Sequence, residues 1–319
     1  MGEKERDWKE EFAEKIFTIG ATKEDEDAAL KLKRDNIPQS LYKYRAVHEF
    51  SIKNFADDQI WFNSSARMND PYDSSLSVNS ELFIEEFLKV RQVDEYLDKQ
   101  LEKHRKRNLS PEDFKKVEDD YRNSIIKLKE QLNEEFKERI AYLPSRIRKT
   151  THISCFSEKN DSILMWSHYT NNHEGFCLEY DFAEYAKVNA KLLEALNPII
   201  YDDEIFDVSY YLLKMYQNDS STIDTKMIRN AVVRKAKAWS YEEEWRILRL
   251  FEPQDTGYEI DTFKPKSIYL GAKISEKNKA TLIELAKEKK VNVYQMKLKS
   301  NEFKLEVHPE YIVSEELTK

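Results

Sequence analysis

A chain of 319 residues with 40% hydrophobic and 35% charged content is long enough for a large core beneath a well-solvated surface. Only 5 glycines and 8 prolines exclude collagen-like or linker-rich character, and 52 basic against 60 acidic residues give a net charge of −8. That balance disfavours a broad electrostatic footprint for nucleic acid.

The opening stretch, MGEKERDWKEEF, lacks the apolar h-region of a leader, and no apolar run reaches membrane-spanning length. Arg6 stands where a myristoylation motif wants Ser or Thr. Two cysteines, Cys155 and Cys177, are too few for a disulfide framework or a zinc site. A reduced, cytoplasmic protein without a membrane segment is expected, with no metal.

Residues 1–36 carry an apolar helical rhythm at Trp8, Phe12, Ile16 and Phe17, which predicts a helical lead-in packed on the domain. SLYKYRAV then alternates as a first strand, a helix (EFSIKNFADD) follows, and QIWFNSS reads as a second strand. The next piece, ARMNDPYDSS, is rich in turn formers, and Asp73 at its end is placed to accept a hydrogen bond from a basic residue.

Between residues 82 and 140 the period changes. One apolar stripe runs from Leu82 to Leu101 and another from Phe114 to Ile140, with Ser110 as N-cap and Pro111 at the first helical position. This predicts a helical hairpin inserted into the domain. Its basic run at 103–107 reads as a solvated helix end or as an anion or nucleic-acid contact.

THISCFS resumes the sheet, and LMWSHYTNNHEGFCLEYDF reads as a short helix stopped at Gly175 and then a strand. Residues 183–236 are mainly helical, with a strand near 199–201. WSYEEEWRILRLF is expected as one strand, 253–262 as a hairpin-like excursion, and KSIYLGAKI as a further strand. A capped helix over 275–290, a strand at 291–299 and a strand-like tail near 303–307 complete an α+β fold with a mixed or antiparallel sheet core. The expected organisation is a lead-in at 1–36, a single α+β domain over 37–310 interrupted by 82–140, and a tail at 311–319.

Three places carry candidate chemistry. In a strand, Glu242, Glu244 and Arg246 share a face, with Trp245 and Ile247 on the other. Partly buried, the paired carboxylates would repel, raising one pKa while Arg246 holds the other ionised. Such a pair suits acid–base work or a developing cation. An edge strand laced with surface ion pairs fits the same letters. Trp166, His168, Tyr169 and His173 form either an aromatic wall for a flat ligand or a helix packed on the sheet. Lys43, Tyr44 and Arg45 put basic residues on the first strand, suited to phosphate or to surface ion pairs. Cys155 reads as a buried structural thiol, and no G-x-S-x-G elbow surrounds Ser154 or Ser157. No P-loop or G-x-G-x-x-G fingerprint is present, which removes kinase, NTPase and Rossmann readings.

LYKYR at 41–45, NDPYD at 69–73, CFSE at 155–158, MWSHYTNNHEGFCLEYD at 165–181 and WSYEEEWR at 239–246 together resemble a bacterial family, domain of unknown function family 2971. That family name carries no function. The chain also resembles the ADP-ribosyltransferase superfamily in the order of a basic residue, a Ser or Tyr, and a late-strand Glu. Arg45 (or Tyr44), Ser157 or Tyr169, and Glu244 fall in that order, and residues 242–244 look like the E-x-E variant. There is no Ser-Thr-Ser triplet, and no His holds the first position.

This second resemblance implies an enzyme that uses NAD as substrate. Glu244 would hold the nicotinamide ribose and stabilise an oxocarbenium-like transition state, and Glu242 would orient an unknown acceptor. Tyr44, Arg45, Ser157, Trp166, His168 and Tyr169 would bind the cofactor. Such a transferase or NAD glycohydrolase would fit a toxin or phage-defence component. The alternatives are a nucleic-acid-acting conflict-system protein using the basic run, and a noncatalytic sensor or adaptor that dimerises through the helical hairpin.

Overall fold

A computed structural model describes residues 7–107, 109–217, 225–250 and 256–313, without the side chains of Arg139 and Val188. The described residues fall into two compact units, Met1–Asp73 with Arg148–Asp203 and Val233–Lys319, and Ser74–Ile147 with Glu204–Val232.

The first unit opens with α1 (Trp8–Phe17) and α2 (Lys23–Asn36), the latter started by a capping box between Thr22 and Asp25. Strand β1 (Leu41–Arg45) is followed by α3 (Glu49–Ala56) and β2 (Gln59–Ser64). His48 caps α3, its Nδ1 accepting the Ser51 N–H at 3.1 Å. The chain then enters the second unit with α4 (Ser80–Val90), α5 (Val93–Arg105) and α6 (Pro111–Thr150). Ser110 caps α6 as expected, accepting the Asp113 N–H at 3.1 Å. Lys103, Arg105, Lys106 and Arg107 of the basic run are exposed.

After β3 (Thr151–Ser157) come α7 (Ile163–Tyr169), β4 (Phe176–Tyr180), α8 (Phe182–Val188), α9 (Ala190–Ala195), β5 (Leu196–Pro198) and β6 (Ile200–Asp202). The second unit then takes in α10 (Ser209–Gln217) and α11 (Thr225–Val232) beside the helices of the expected insertion. Phe83 stacks on Phe136 there, with ring centroids 3.7 Å apart. The first unit closes with β7 (Arg234–Ala236), β8 (Glu244–Leu250), β9 (Tyr258–Asp261), β10 (Ser267–Leu270), α12 (Glu276–Glu288), β11 (Asn292–Leu298) and β12 (Leu305–Tyr311). Part of the predicted 253–262 excursion lies outside the described residues, as does the tail from 314. Among the described residues, no helix is long and apolar enough to cross a membrane.

The fold is α+β. Its main sheet runs β12-β11-β10-β4-β1-β3-β2-β9, with β8 on the other side of β3 and β5 beyond β8. All these pairings are antiparallel except β10 with β11. Alternation sorts the side chains of β4 between two cores. Phe176, Leu178 and Tyr180 join Leu41, Phe55 and Ile268 on one face, while Cys177 joins Tyr44, Met165 and Trp166 on the other.

One irregularity positions everything that follows. β8 pairs with β3 from Thr151 to Ser157, but the opposite edge of β3 is shared by two strands. β1 meets it only at Ser157, and β2 only at Ile153 and His152. The sheet forks there, and a cavity opens between the prongs.

Three sequence expectations need correction. WSYEEEWRILRLF is not one strand: residues Lys237–Glu242 form a 3-10 turn, Glu243 takes a left-handed backbone (φ 43°), and the strand starts at Glu244. β3 ends at Ser157, opposite Glu244, so the residues before Glu244 have no strand to pair with and turn away. Nor is β8 an edge strand, since it lies between β3 and β5. Gly175 does not stop α7 either. Asn171, Asn172 and His173 turn the chain with φ of 52°, 57° and 70°. Gly175 is required instead by crowding, because a Cβ there would lie 2.1 Å from the Arg45 carbonyl oxygen.

Candidate functional site

The cavity at the fork holds about 220 Å³. β1 lends Tyr42, Lys43, Tyr44 and Arg45, and β2 lends Trp61 and Asn63. Ile153, Cys155, Phe156 and Ser157 of β3 form the back wall, and Tyr169, Lys235, Glu242 and Glu244 face it from later segments.

The acidic end is a network of paired charges. Glu244 is 3% exposed and its two oxygens are fully engaged. Arg246 Nε donates to Oε1 at 2.7 Å, while Arg246 Nη2 and Lys235 Nζ donate to Oε2 at 3.1 and 2.9 Å. Arg246, with no exposed surface, also grips Asp73 through Nη1–Oδ1 at 2.9 Å and Nη2–Oδ2 at 2.6 Å. This two-pronged geometry is the strong form of a carboxylate–guanidinium pair. Lys235 Nζ donates to Glu242 as well. Among the described residues, three carboxylates against two cations leave the network one negative charge in excess.

The two glutamates titrate in opposite directions. Burial would raise the Glu244 pKa, but Arg246 and Lys235 overcome it and hold that carboxyl well below the usual range. Burial and then the Glu244 charge push Glu242 up, against the pull of Lys235 and Tyr169. Lys235 follows the same logic in reverse: burial would lower it, and the two carboxylates raise it. Glu244 is therefore a fixed charge, and Glu242 is the carboxyl suited to exchanging a proton.

Loop residues 69–73 tie the network together. Asn69 Nδ2 donates to Tyr169 Oη at 3.2 Å, and Tyr169 Oη donates to Glu242 Oε1 at 2.5 Å. Burial and Glu242 raise the Tyr169 pKa, so it stays protonated as a donor. Asp73, at the other end of the loop, accepts from Arg246 as the sequence led us to expect. Ser157 Oγ donates to the Glu242 carbonyl at 2.6 Å, fixing the turn from which that side chain projects. Tyr44 Oη donates to the Lys159 carbonyl at 2.7 Å, and burial raises its pKa.

Of the residues nominated from sequence, Tyr44, Arg45, Ser157, Tyr169, Glu242 and Glu244 line this one cavity. Trp166 and His168 do not. Trp166 has no exposed surface: it packs edge-on to Tyr44, centroids 5.3 Å apart, and its Nε1 donates to the Asn160 carbonyl at 2.7 Å. His168 lies on the exposed side of α7, 6.3 Å from the Tyr241 ring. A short helix packed on a sheet turns only one stripe inward, and Met165, Trp166 and Tyr169 occupy it. Cys155, read as buried, is mostly buried in the cavity wall and hydrogen-bonds to Glu244, and burial raises its thiol pKa well above the ordinary value.

Sequence reasoning missed Lys235, a lysine in a stretch that reads as helical surface, and gave Asn69 no partner. Only the run of carboxylates after Lys235 signals that a buried cation is needed. Among the described residues, no group of three or more His, Cys, Asp or Glu side chains is arranged to hold a metal ion.

Fold and site define an α+β protein with a charged cavity at the fork of its sheet. The family described as "Protein of unknown function (DUF2971)" matches residues 165–247, which supports kinship with that family over this stretch. The stretch contains Tyr169, Lys235, Glu242, Glu244 and Arg246, so it covers most of the acidic end of the cavity. Comparison with curated proteins finds no match, and comparison with solved structures finds none.

Proposed function

We propose that the cavity binds a nucleotide and that the chain cleaves an N-glycosidic bond there, as an NAD glycohydrolase or ADP-ribosyltransferase does. The observation that carries this reading is convergence. Arg45, Tyr169, Glu242 and Glu244, far apart in sequence, line one cavity with a cation at one end and carboxylates at the other. At about 220 Å³ it is smaller than the roughly 300–1,000 Å³ of most ligand pockets, so it suits the nicotinamide–ribose portion of NAD.

In this mechanism the bond between the ribose C1′ and the nicotinamide nitrogen breaks. Its electron pair leaves with the nicotinamide, which becomes neutral, and C1′ becomes an oxocarbenium ion. The negative excess of the network stabilises that cation. Water or an acceptor hydroxyl then bonds to C1′ and gives up its proton to Glu242, the residue that the resemblance casts as orienting the acceptor. Glu244, saturated by Arg246 and Lys235, supplies charge.

In the test, nicotinamide release from NAD is followed by chromatography, and NAD is added in a thermal-shift series. NAD should raise the melting temperature. Glu242→Gln should lower turnover about 100-fold or more while leaving the fold intact. Wild-type turnover should fall as pH falls through the raised Glu242 pKa, because the ionised form accepts the proton. Neither a thermal shift nor nicotinamide release in the wild type would sink the proposal, and saturable binding without turnover would point to a nucleotide sensor.

A further inference from the structure

β1 sends two cations into the same cavity, Lys43 and Arg45, at positions that share a strand face. Lys43 is 8% exposed, and its ammonium reaches only neutral groups. It donates to Ser154 Oγ at 2.7 Å and to the Cys155 carbonyl at 3.1 Å, and it sits 4.7 Å from the Phe156 ring centroid. The Cys155 carbonyl lies on the stretch of β3 that the fork leaves without a full partner strand. Among the described residues neither Lys43 nor Arg45 forms an ion pair, and the half-buried Arg45 guanidinium makes no hydrogen bond. Glu259 of β9 acts on Arg45 only at a distance. Lys235, in the same cavity wall, holds two carboxylates. A buried charge without a counter-charge is costly and is resolved by losing the proton or by gaining an anion.

The titratable groups close enough to act on Lys43 are Arg45 of β1, Cys155 of β3, Glu244 of β8 and, from the other face of the sheet, Cys177 of β4. Glu244 is already neutralised by Arg246 and Lys235, and burial keeps both thiols protonated. Burial first, and Arg45 second, lower the Lys43 pKa to about 7. An anion lodged between Lys43 and Arg45 would compensate both causes.

We propose that Lys43 and Arg45 form the anion-holding end of the cavity, and that Lys43 takes up a proton when a phosphate-bearing ligand binds. The choice of a nucleotide as that ligand rests on the function proposed above, whereas the anion site and its proton linkage rest on β1 and β3.

Isothermal titration of ADP-ribose, in two buffers of contrasting ionisation enthalpy near pH 8, counts the protons. Its pyrophosphate does not titrate in this range, so any uptake belongs to the protein. The wild type should take up about 0.5–0.9 proton per ligand, and its affinity should fall about tenfold between about pH 7.5 and 8.5. Lys43→Arg, charged throughout, should bind at nearly wild-type neutral-pH affinity with no uptake and a flat pH profile. Lys43→Met should bind about tenfold or more weakly, also without uptake. Sulfate, compared with chloride at equal ionic strength, tests the anion site alone through its effect on melting temperature. Lys43-dependent stabilisation by sulfate without ADP-ribose binding would keep this inference and remove the nucleotide reading. ADP-ribose binding with proton uptake unchanged in both variants would overturn the inference and leave that reading standing. No response to either probe would overturn the inference.

Discussion

The two ends of the cavity treat buried charge in opposite ways. At the acidic end every charged group is held in an ion pair, three carboxylates sharing two cations. Arg246 is shared between Asp73 and Glu244, and Lys235 between Glu242 and Glu244. At the basic end Lys43 reaches only neutral groups, and Arg45 makes no hydrogen bond or ion pair among the described residues. Completed networks hold a fold together, whereas uncompensated charges in a concave wall are those a ligand can complete. Side chains that look alike in sequence thus separate by what they touch.

The sharpest way to break this contrast is to open the completed network. Arg246→Met removes the buried cation that Asp73 and Glu244 share and should cost about 3–5 kcal/mol of stability, read from urea unfolding. A loss below about 1 kcal/mol would mean that Arg246 is not the keystone described here. Replacing Lys43 should do far less, and its effect should depend on pH. The Lys43 pKa is lowered on folding from 10.5 to about 7, so the unfolded chain binds more protons between those values. Wild-type stability from this group should therefore rise with pH across that window. The melting temperature of Lys43→Met relative to wild type should be most favourable near pH 6 and should drop steadily toward pH 9. A difference that does not change with pH would show that the folded protein already neutralises Lys43. The smallest effect belongs to the loop. Asn69→Ala removes one hydrogen bond to Tyr169 and should cost about 1 kcal/mol in thermal or urea unfolding.

Much of this was readable from the letters, and the failures share a cause. Strands at LYKYR, THISCFS and FCLEY declared themselves by β-branched and aromatic content, and α6 by its stripe and its Ser110–Pro111 start. Trp245 and Ile247 fell in the core as alternation required. Asp73 found its basic partner. What the sequence could not show was where partner strands stop. The end of β3 turns WSYEEE into a 3-10 turn, and the fork in the sheet creates the cavity; both are long-range events without a local signature. Lys235 was hidden for a related reason. In a chain with 35% charged residues, one lysine that goes inside looks like the many that stay out. On α7 the aromatic letters fitted either face, and packing gave the inner stripe to Trp166 while leaving His168 in solvent.

The crowding at Gly175 has a bearing on binding. Its Cα packs against the Arg45 carbonyl, and at Gly271 a Cβ would lie 2.2 Å from the His173 carbonyl oxygen, so two of the chain's five glycines clamp neighbouring backbones where β1 ends. The main chain that carries Arg45 has little room to recede or to swing when a ligand enters. The ordering of that arm of the cavity is completed when the protein folds, so an incoming anion meets a guanidinium whose anchor is already set. Affinity at such a preorganised end is limited less by lost freedom than by how well the anion's shape fits.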